Sequence, residues 1–336
     1  MSAPTLLETH ANWTAADVAD AATWTTVLTD DQIDELEAAL AHARSRCTDV
    51  LDITLDDFPL PTLAAVLSAI EVELIDGRGF ARISGLPVER LGAEDSSWIY
   101  WGIGLHLGDP WPQNVKGHLL GDVKDQGKSL NDPTARGNEI GGAELTFHTD
   151  GSDLVGLLCL HPGQSGGASV IANSVAAHNH LVADRPDLAS ELYGNLPYDF
   201  RGEHRDGQQP FYFVPAFSEH NGRIFIRYIR PYIESSQRHA ETPRLTSTQI
   251  EAMDAFDALI AQPELQVEMV FAPGDMQFIN NYHVLHGRRA YTDGPEAIRH
   301  LKRLWLATNI LGPDDRPERF QKAGATAHWG KHRTKA

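Results

Sequence analysis

His148 and Asp150 are separated by one residue, and His286 lies far downstream in the run from Gly274 to Arg288. Two imidazoles and one carboxylate can hold one face of an iron(II) ion and leave the opposite face open for a cosubstrate and oxygen. Residues two apart in a strand face the same side, so His148 and Asp150 can both enter a barrel while Thr149 points away. Leu145, Thr146 and Phe147 lead into the pair, and Gly151-Ser152 breaks out of it. A lone His-x-Asp also describes a surface histidine beside a turn. The ordered set is far more specific: His148, Asp150, a distal His286, then two arginines in an apolar strand. His283 is a rival to His286. The two are three apart, so on one strand they face opposite sides unless a bulge intervenes. His286 is favoured, because Gly287 allows close backbone approach and Arg288-Arg289 returns the chain to solvent. His283 reads as a partly buried, hydrogen-bonded residue, and His161, His178, His180 and His300 read as structural.

The second cluster is the run from Arg299 to Ala307. It alternates, with Arg299, Leu301, Arg303, Trp305 and Ala307 on one face and His300 and Lys302 on the other. An arginine keeps its charge, so burying one requires an anionic or strongly polar partner. A dicarboxylate cosubstrate supplies one through bidentate hydrogen bonds. The competing reading is an outward face with both arginines solvated. Candidate contacts to a further substrate are Arg303, Gln113, Asn114, Tyr228 and Arg230. For Tyr228 and Arg230, packing and surface charge compete with that role.

Composition narrows the class. The net charge of −18 disfavours a nucleic-acid surface. Cys47 and Cys159 suggest neither a disulfide framework nor a zinc–cysteine site. No apolar run reaches membrane-spanning length, and Met1 to Asp20 lacks the pattern of a secretory signal. The expectation is a soluble cytoplasmic protein with a small-molecule substrate, no nucleic-acid or membrane partner, and compatibility with a homo-oligomer.

The positioning elements follow. Residues 1–28 are polar and alanine-rich and read as a flexible arm. Residues 29–336 read as a single catalytic domain. Thr29-Asp30-Asp31-Gln32 starts a helix, another covers Thr62 to Leu74 behind Pro61, and a third covers Ser96 to His106. A short strand covers Gly79 to Gly85. From Leu145 onward, short apolar runs alternate with Gly, Pro and Asn breakers. Strands are expected at 145–148, 154–160, 168–172, 211–215, 223–226, 265–271, 276–279 and 301–308. Helices are expected at 174–183, 188–193 and 246–261. This pattern is mainly β, a jelly roll with helical additions.

In these residues the chain resembles the iron(II)/2-oxoglutarate-dependent oxygenases of the taurine dioxygenase superfamily, nearest in pattern to its clavaminate synthase-like and γ-butyrobetaine hydroxylase-like branches. The resemblance runs from about Gly79 to Asn309. It is carried by Gly79-Phe80 with Ile83 to Pro87, Phe147 to Asp150, Ser165 to Ser169, Asn280 to Arg288, and Arg299 to Arg303. It implies a cupin-like double-stranded β-helix, with His148, Asp150 and His286 as catalytic iron ligands. It also implies Fe(II), 2-oxoglutarate and O2 as cofactors. Ser169 matches a position where the family often has Thr, whose hydroxyl meets the distal carboxylate of 2-oxoglutarate. Arg299 matches the arginine that salt-bridges that carboxylate. Arg303 matches a position that meets an anionic substrate in some members, and Asn281 matches a usual polar residue beside the ligands. Clavaminate synthase has Glu where this chain has Asp150, so its substrate class does not transfer. Residues 1–75 match no part of the pattern.

The implied reaction is hydroxylation of an unactivated C–H bond in a small carboxylate-bearing substrate such as an amino acid or a derivative. Desaturation, cyclisation or epimerisation of a natural-product intermediate are alternatives with the same cofactors. Halogenation is disfavoured, because Asp150 occupies the position a halide needs. Alternatives of another class are a zinc hydrolase and a metal-free binding protein on the same barrel. Neither requires Arg299 with Ser169.

Overall fold

The computed structural model describes residues 4–114, 116–128 and 140–318. The helix Asp30–Arg46 begins with a capping box: Thr29 Oγ1 accepts from Gln32 N, and the Gln32 side chain accepts from Thr29 N. Leu36, Ala39, Leu40 and Ala43 recur at helical spacing and are buried. With the helices Leu63–Ile75 and Val88–Leu107 they cover one side of a seven-stranded sheet.

That larger sheet runs in the order Thr25–Val27, Phe80–Ser84, Met276–Asn280, Leu154–His161, His300–Ala307 and Asp109–Pro110, with Leu120–Val123 also paired to His300–Ala307. All its pairs are antiparallel except the first. A smaller antiparallel sheet runs Gln266–Met269, Ser169–Asn173, Val284–Arg288 and Leu145–His148.

Strand alternation explains the layers. Along Leu154–His161, Leu154 and Leu158 pack toward the N-terminal helices. Val155 and Cys159 instead join Ile279, Leu301, Trp305, Ile171, Met269 and Val284 in a core fed by both sheets. In the smaller sheet, Ala172 and Leu285 face away from that core, toward the helices Ser174–Asp184, Pro186–Leu192 and Ser247–Ile260. The architecture is therefore sheet-rich and mixed, with seven α-helices among the described residues. None of the described helices is long and apolar enough to cross a membrane.

The expected strands at 145–148, 211–215 and 223–226 form as read, and the others shift by a residue or more. The reading at 265–271 shortens to Gln266–Met269 behind a 3-10 turn at Pro263–Leu265. Val284–Arg288 was absent from the expected strands. Its polar residues His286 and Arg288 face inward, so the usual apolar alternation is hidden.

The N-terminal arm is a correction. Ala11, Trp13, Val18, Trp24 and Leu28 are buried, and Thr25–Val27 is an edge strand paired with Phe80–Ser84. Trp13 packs edge-on against Phe80 at 5.2 Å and donates through Nε1 to Arg78 O. Asn173 Nδ2 donates to the carbonyls of Ala11 and Trp13. A few large apolar anchors hold this segment without any sustained periodicity.

Candidate active site

His148 ends its strand directly opposite His286 in the neighbouring strand, and their ring centroids are 4.3 Å apart. The pairing shifts register just beyond His286. A Cβ on Gly287 would stand 2.7 Å from Leu145 O, so only glycine permits this approach. Asp150 lies past the strand end. Its N–H donates to Asn281 Oδ1, and Thr149 N donates to Tyr228 O. The result brings one donor atom from each of His148, Asp150 and His286 within 4.8 Å of one another. His283 lies elsewhere, buried against Asn280 and Gly79.

Protonation and orientation suit ligation. His148 Nδ1 is 2.8 Å from Thr146 O, a contact that makes Nδ1 the donor and leaves Nε2 free. Burial, aided by His148, pushes the His286 pKa down to about 3, so this imidazole is neutral. Burial opposes ionisation of Asp150. Arg303 and the two histidines outweigh it and hold the carboxyl at about 2. Asp150 Oδ2 accepts from Trp305 Nε1 at 2.8 Å and from Arg303 Nη1 at 3.2 Å. Two imidazoles and an oriented carboxylate fit an octahedral iron(II) ion bound on one face.

Arg303 is itself fixed. Its Nε donates to Gln113 Oε1 at 2.8 Å, and Gln113 Nε2 donates back to the Arg303 carbonyl. Gln113 is therefore a support for Arg303. Arg227 was not singled out from the sequence. Its Nη1 donates to Asp150 O at 3.0 Å and its Nη2 to Tyr212 Oη at 3.0 Å, while Nε finds no acceptor among the described residues. It follows the apolar run Ile224-Phe225-Ile226, the same signal that drew attention to Arg299 and Arg303.

Arg299 precedes its strand and is 3% exposed. Nη2 donates to Gly167 O at 3.3 Å, and Nη1 is buried without an acceptor among the described residues. Burial, aided by nearby Arg288, pulls its pKa down to about 10. An orphaned guanidinium N–H fits an incoming carboxylate. Ser169 is buried with Oγ donating to Gln277 Oε1, and its hydroxyl can turn to a new acceptor. Arg288 corrects the expectation that Arg288-Arg289 returns to solvent. Arg289 does, pairing with Glu144 and Glu268. Arg288 lies two residues from His286 on the same strand face and is buried.

Three expected substrate contacts are not brought to the triad. Tyr228 is fully buried among helix residues and donates to Asp257. Arg230 pairs with Glu234, Asp254 and Asp257. Asn114 closes its own loop, accepting from Lys116 N and His118 N. Local acids and backbone groups satisfy all three.

The family model described as Taurine catabolism dioxygenase TauD, TfdA family matches residues 47–305. FR-33289 synthase of Streptomyces rubellomurinus (strain ATCC 31215) is 31% identical over 326 residues, covering 95% of this chain and 93% of that protein. Among solved structures, asparagine oxygenase in complex with Fe(II), 2S,3S-3-hydroxyasparagine and succinate aligns with a TM-score of 0.66 at 19% identity, covering 85% of this chain and 94% of the other. The non-heme iron oxygenase OrfP in complex with Fe and alpha-ketoglutaric acid aligns with a TM-score of 0.65 at 17% identity, over 85% and 94% of the two chains.

Proposed function

This chain belongs to the taurine catabolism dioxygenase TauD, TfdA family, and on that premise we propose that it hydroxylates an unactivated C–H bond of a small carboxylate-bearing substrate, such as an amino acid or derivative. It is an iron(II)/2-oxoglutarate-dependent dioxygenase, which sets aside the zinc-hydrolase and metal-free readings. We assign its two sheets to a double-stranded β-helix, consistent with the core they share. His148, Asp150 and His286 would hold the iron, and Arg299 with Ser169 would hold the distal carboxylate of 2-oxoglutarate. Bound iron(II) and 2-oxoglutarate supply the oxidation of the C–H bond with O2.

The protein's own part is positioning. Thr146 O fixes the ring and tautomer of His148. Trp305 and Arg303 orient the Asp150 carboxylate and keep it ionised. Asn281 ties Asp150 to the strand end through both its amide oxygen and its amide nitrogen. Arg303 has a further role in this reading: with Gln113 holding its Nε, it presents a cation to an anionic substrate beside the metal position. Arg227, on the backbone carbonyl of Asp150, adds a second cation there.

The observation that carries this reading is the pairing of a compact His-Asp-His donor set with a buried, orphaned Arg299. A hydrolase needs the first but not the second. The test incubates iron-loaded protein with 2-oxoglutarate and a panel of amino acids and other carboxylates, following succinate and oxygenated product by mass spectrometry. Substrate-stimulated succinate that requires both iron and 2-oxoglutarate supports the reading. Stimulation only by compounds without a carboxylate would refute the substrate class.

A further inference from the structure

Two buried cations lie against one aromatic ring, and among the described residues no acid is hydrogen-bonded to either guanidinium. The guanidinium carbons of Arg288 and Arg299 stand 4.6 and 5.2 Å from the centroid of the same ring, Tyr291. Arg288 is 7% exposed and Arg299 3%. Among the described residues, the acceptors of both guanidinium groups are backbone carbonyls: Arg288 Nη2 donates to Ala143 O at 2.6 Å and to Ile140 O at 3.5 Å, and Arg299 Nη2 to Gly167 O. Arg288 Nε and Arg299 Nη1 are buried and have no acceptor among the described residues. Asp293 gives an oxygen to the backbone N–H of Arg299, not to its guanidinium. Asp125 and Asp293 act on Arg288 only through space.

Burying like charges together is unfavourable unless an opposite charge joins them. The backbone explains where that charge belongs. Arg288 is the direct cross-strand partner of Ser169, so both side chains rise from the same sheet face. A Cβ on Gly167, two residues before Ser169, would stand 2.9 Å from Arg299 Nε. Arg288 shares the sheet face of Ser169, Arg299 lies against the Gly167 turn just before it, and among the described residues Arg288 Nε and Arg299 Nη1 have no acceptor.

We propose that Arg288 is a second positioning residue for the distal carboxylate of 2-oxoglutarate, which Arg288 and Arg299 clamp between them. This rests on the cosubstrate assignment above. It adds a residue whose sequence context pointed to solvent. It also links two parts of the site. Arg288 holds Ala143 O, just upstream of the strand that carries His148.

The test measures affinity under anaerobic conditions by calorimetry, using iron(II)-loaded protein and two ligands. One is 2-oxoglutarate, and the other is 2-oxopentanoate, which has the same chain length without the distal carboxylate. Wild-type protein should prefer 2-oxoglutarate. Arg288→Gln should narrow that preference by about tenfold, the scale of one lost charge-assisted hydrogen bond, and leave 2-oxopentanoate affinity unchanged. Arg288→Lys, which keeps the charge and loses the fork, should narrow it by about threefold. The inference is overturned if Arg288→Gln keeps the wild-type ratio, or if both affinities fall together as in a general loss of structure. If Arg288→Gln does not fold, the lysine variant decides, and an unchanged ratio there overturns it. Failure of wild-type protein to bind either ligand would instead overturn the cosubstrate assignment.

Discussion

Replacing Trp13 with alanine tests whether the first residues belong to the folded body. Trp13 is 4% exposed in the core between the two sheets, edge-on to Phe80, with its indole N–H on Arg78 O. Truncating a buried tryptophan to alanine costs about 3–5 kcal/mol. That is a large part of the roughly 5–15 kcal/mol that holds a typical domain together. Trp13→Phe keeps the ring contact and loses mainly the Arg78 hydrogen bond, about 1 kcal/mol. Deleting residues 1–20 should cost at least as much as Trp13→Ala, because it also strips Asn173 Nδ2 of both its carbonyl acceptors. Asn173 caps the helix Ser174–Asp184 and pairs with Val284 in the strand that carries His286. Urea unfolding followed by far-ultraviolet circular dichroism should show a lower midpoint for Trp13→Ala, with Trp13→Phe between it and wild type. Midpoints equal to wild type for both Trp13→Ala and the deletion would refute the packing argument.

Trp305→Phe should keep the ring in the core and remove the hydrogen bond to Asp150. Iron(II) affinity should fall roughly ten- to a hundredfold, as for other residues that orient metal ligands, and equilibrium dialysis showing no change would contradict this. Arg299→Ala should weaken 2-oxoglutarate by about ten- to a hundredfold, measured by the charge-transfer absorbance of the anaerobic complex. Arg303→Ala should weaken iron binding through its contact with Asp150 and raise succinate formation uncoupled from substrate, and a loss confined to 2-oxoglutarate affinity would reverse the two roles. Arg230→Ala should leave substrate-stimulated succinate formation unchanged and stability within about 1 kcal/mol, because its partners are partly exposed ion pairs.

The clustering of His148, Asp150 and His286 was legible because a metal-binding set needs few residue types at restrictive spacing. Same-face placement of His148 and Asp150 came from strand alternation, although the strand ends at His148 and Asp150 is held instead by Asn281. The choice of His286 over His283 followed from Gly287, whose missing side chain the pairing with Leu145 requires. Arg299 and Arg303 were legible as cations in an apolar run. Arg288 was misread by the same logic. Next to Arg289 it looks like a solvent-facing pair, yet adjacent strand residues face opposite sides. Tyr228 and Arg230 could be placed only once Asp257 and Asp254 were known to meet them, which sequence distance conceals. The N-terminal segment was missed because its anchors are isolated aromatics without a period. Trp13 and Trp24 find Phe80 only through tertiary packing.

In the proposed reading, His148, Asp150 and His286 together hold one iron ion. The most direct measurement is anaerobic iron(II) binding near neutral pH, with bound metal quantified in wild-type protein, His286→Ala and His283→Ala. Wild type and His283→Ala should each bind one equivalent, and His286→Ala should bind none. Metal retained by His286→Ala and lost from His283→Ala would contradict the account.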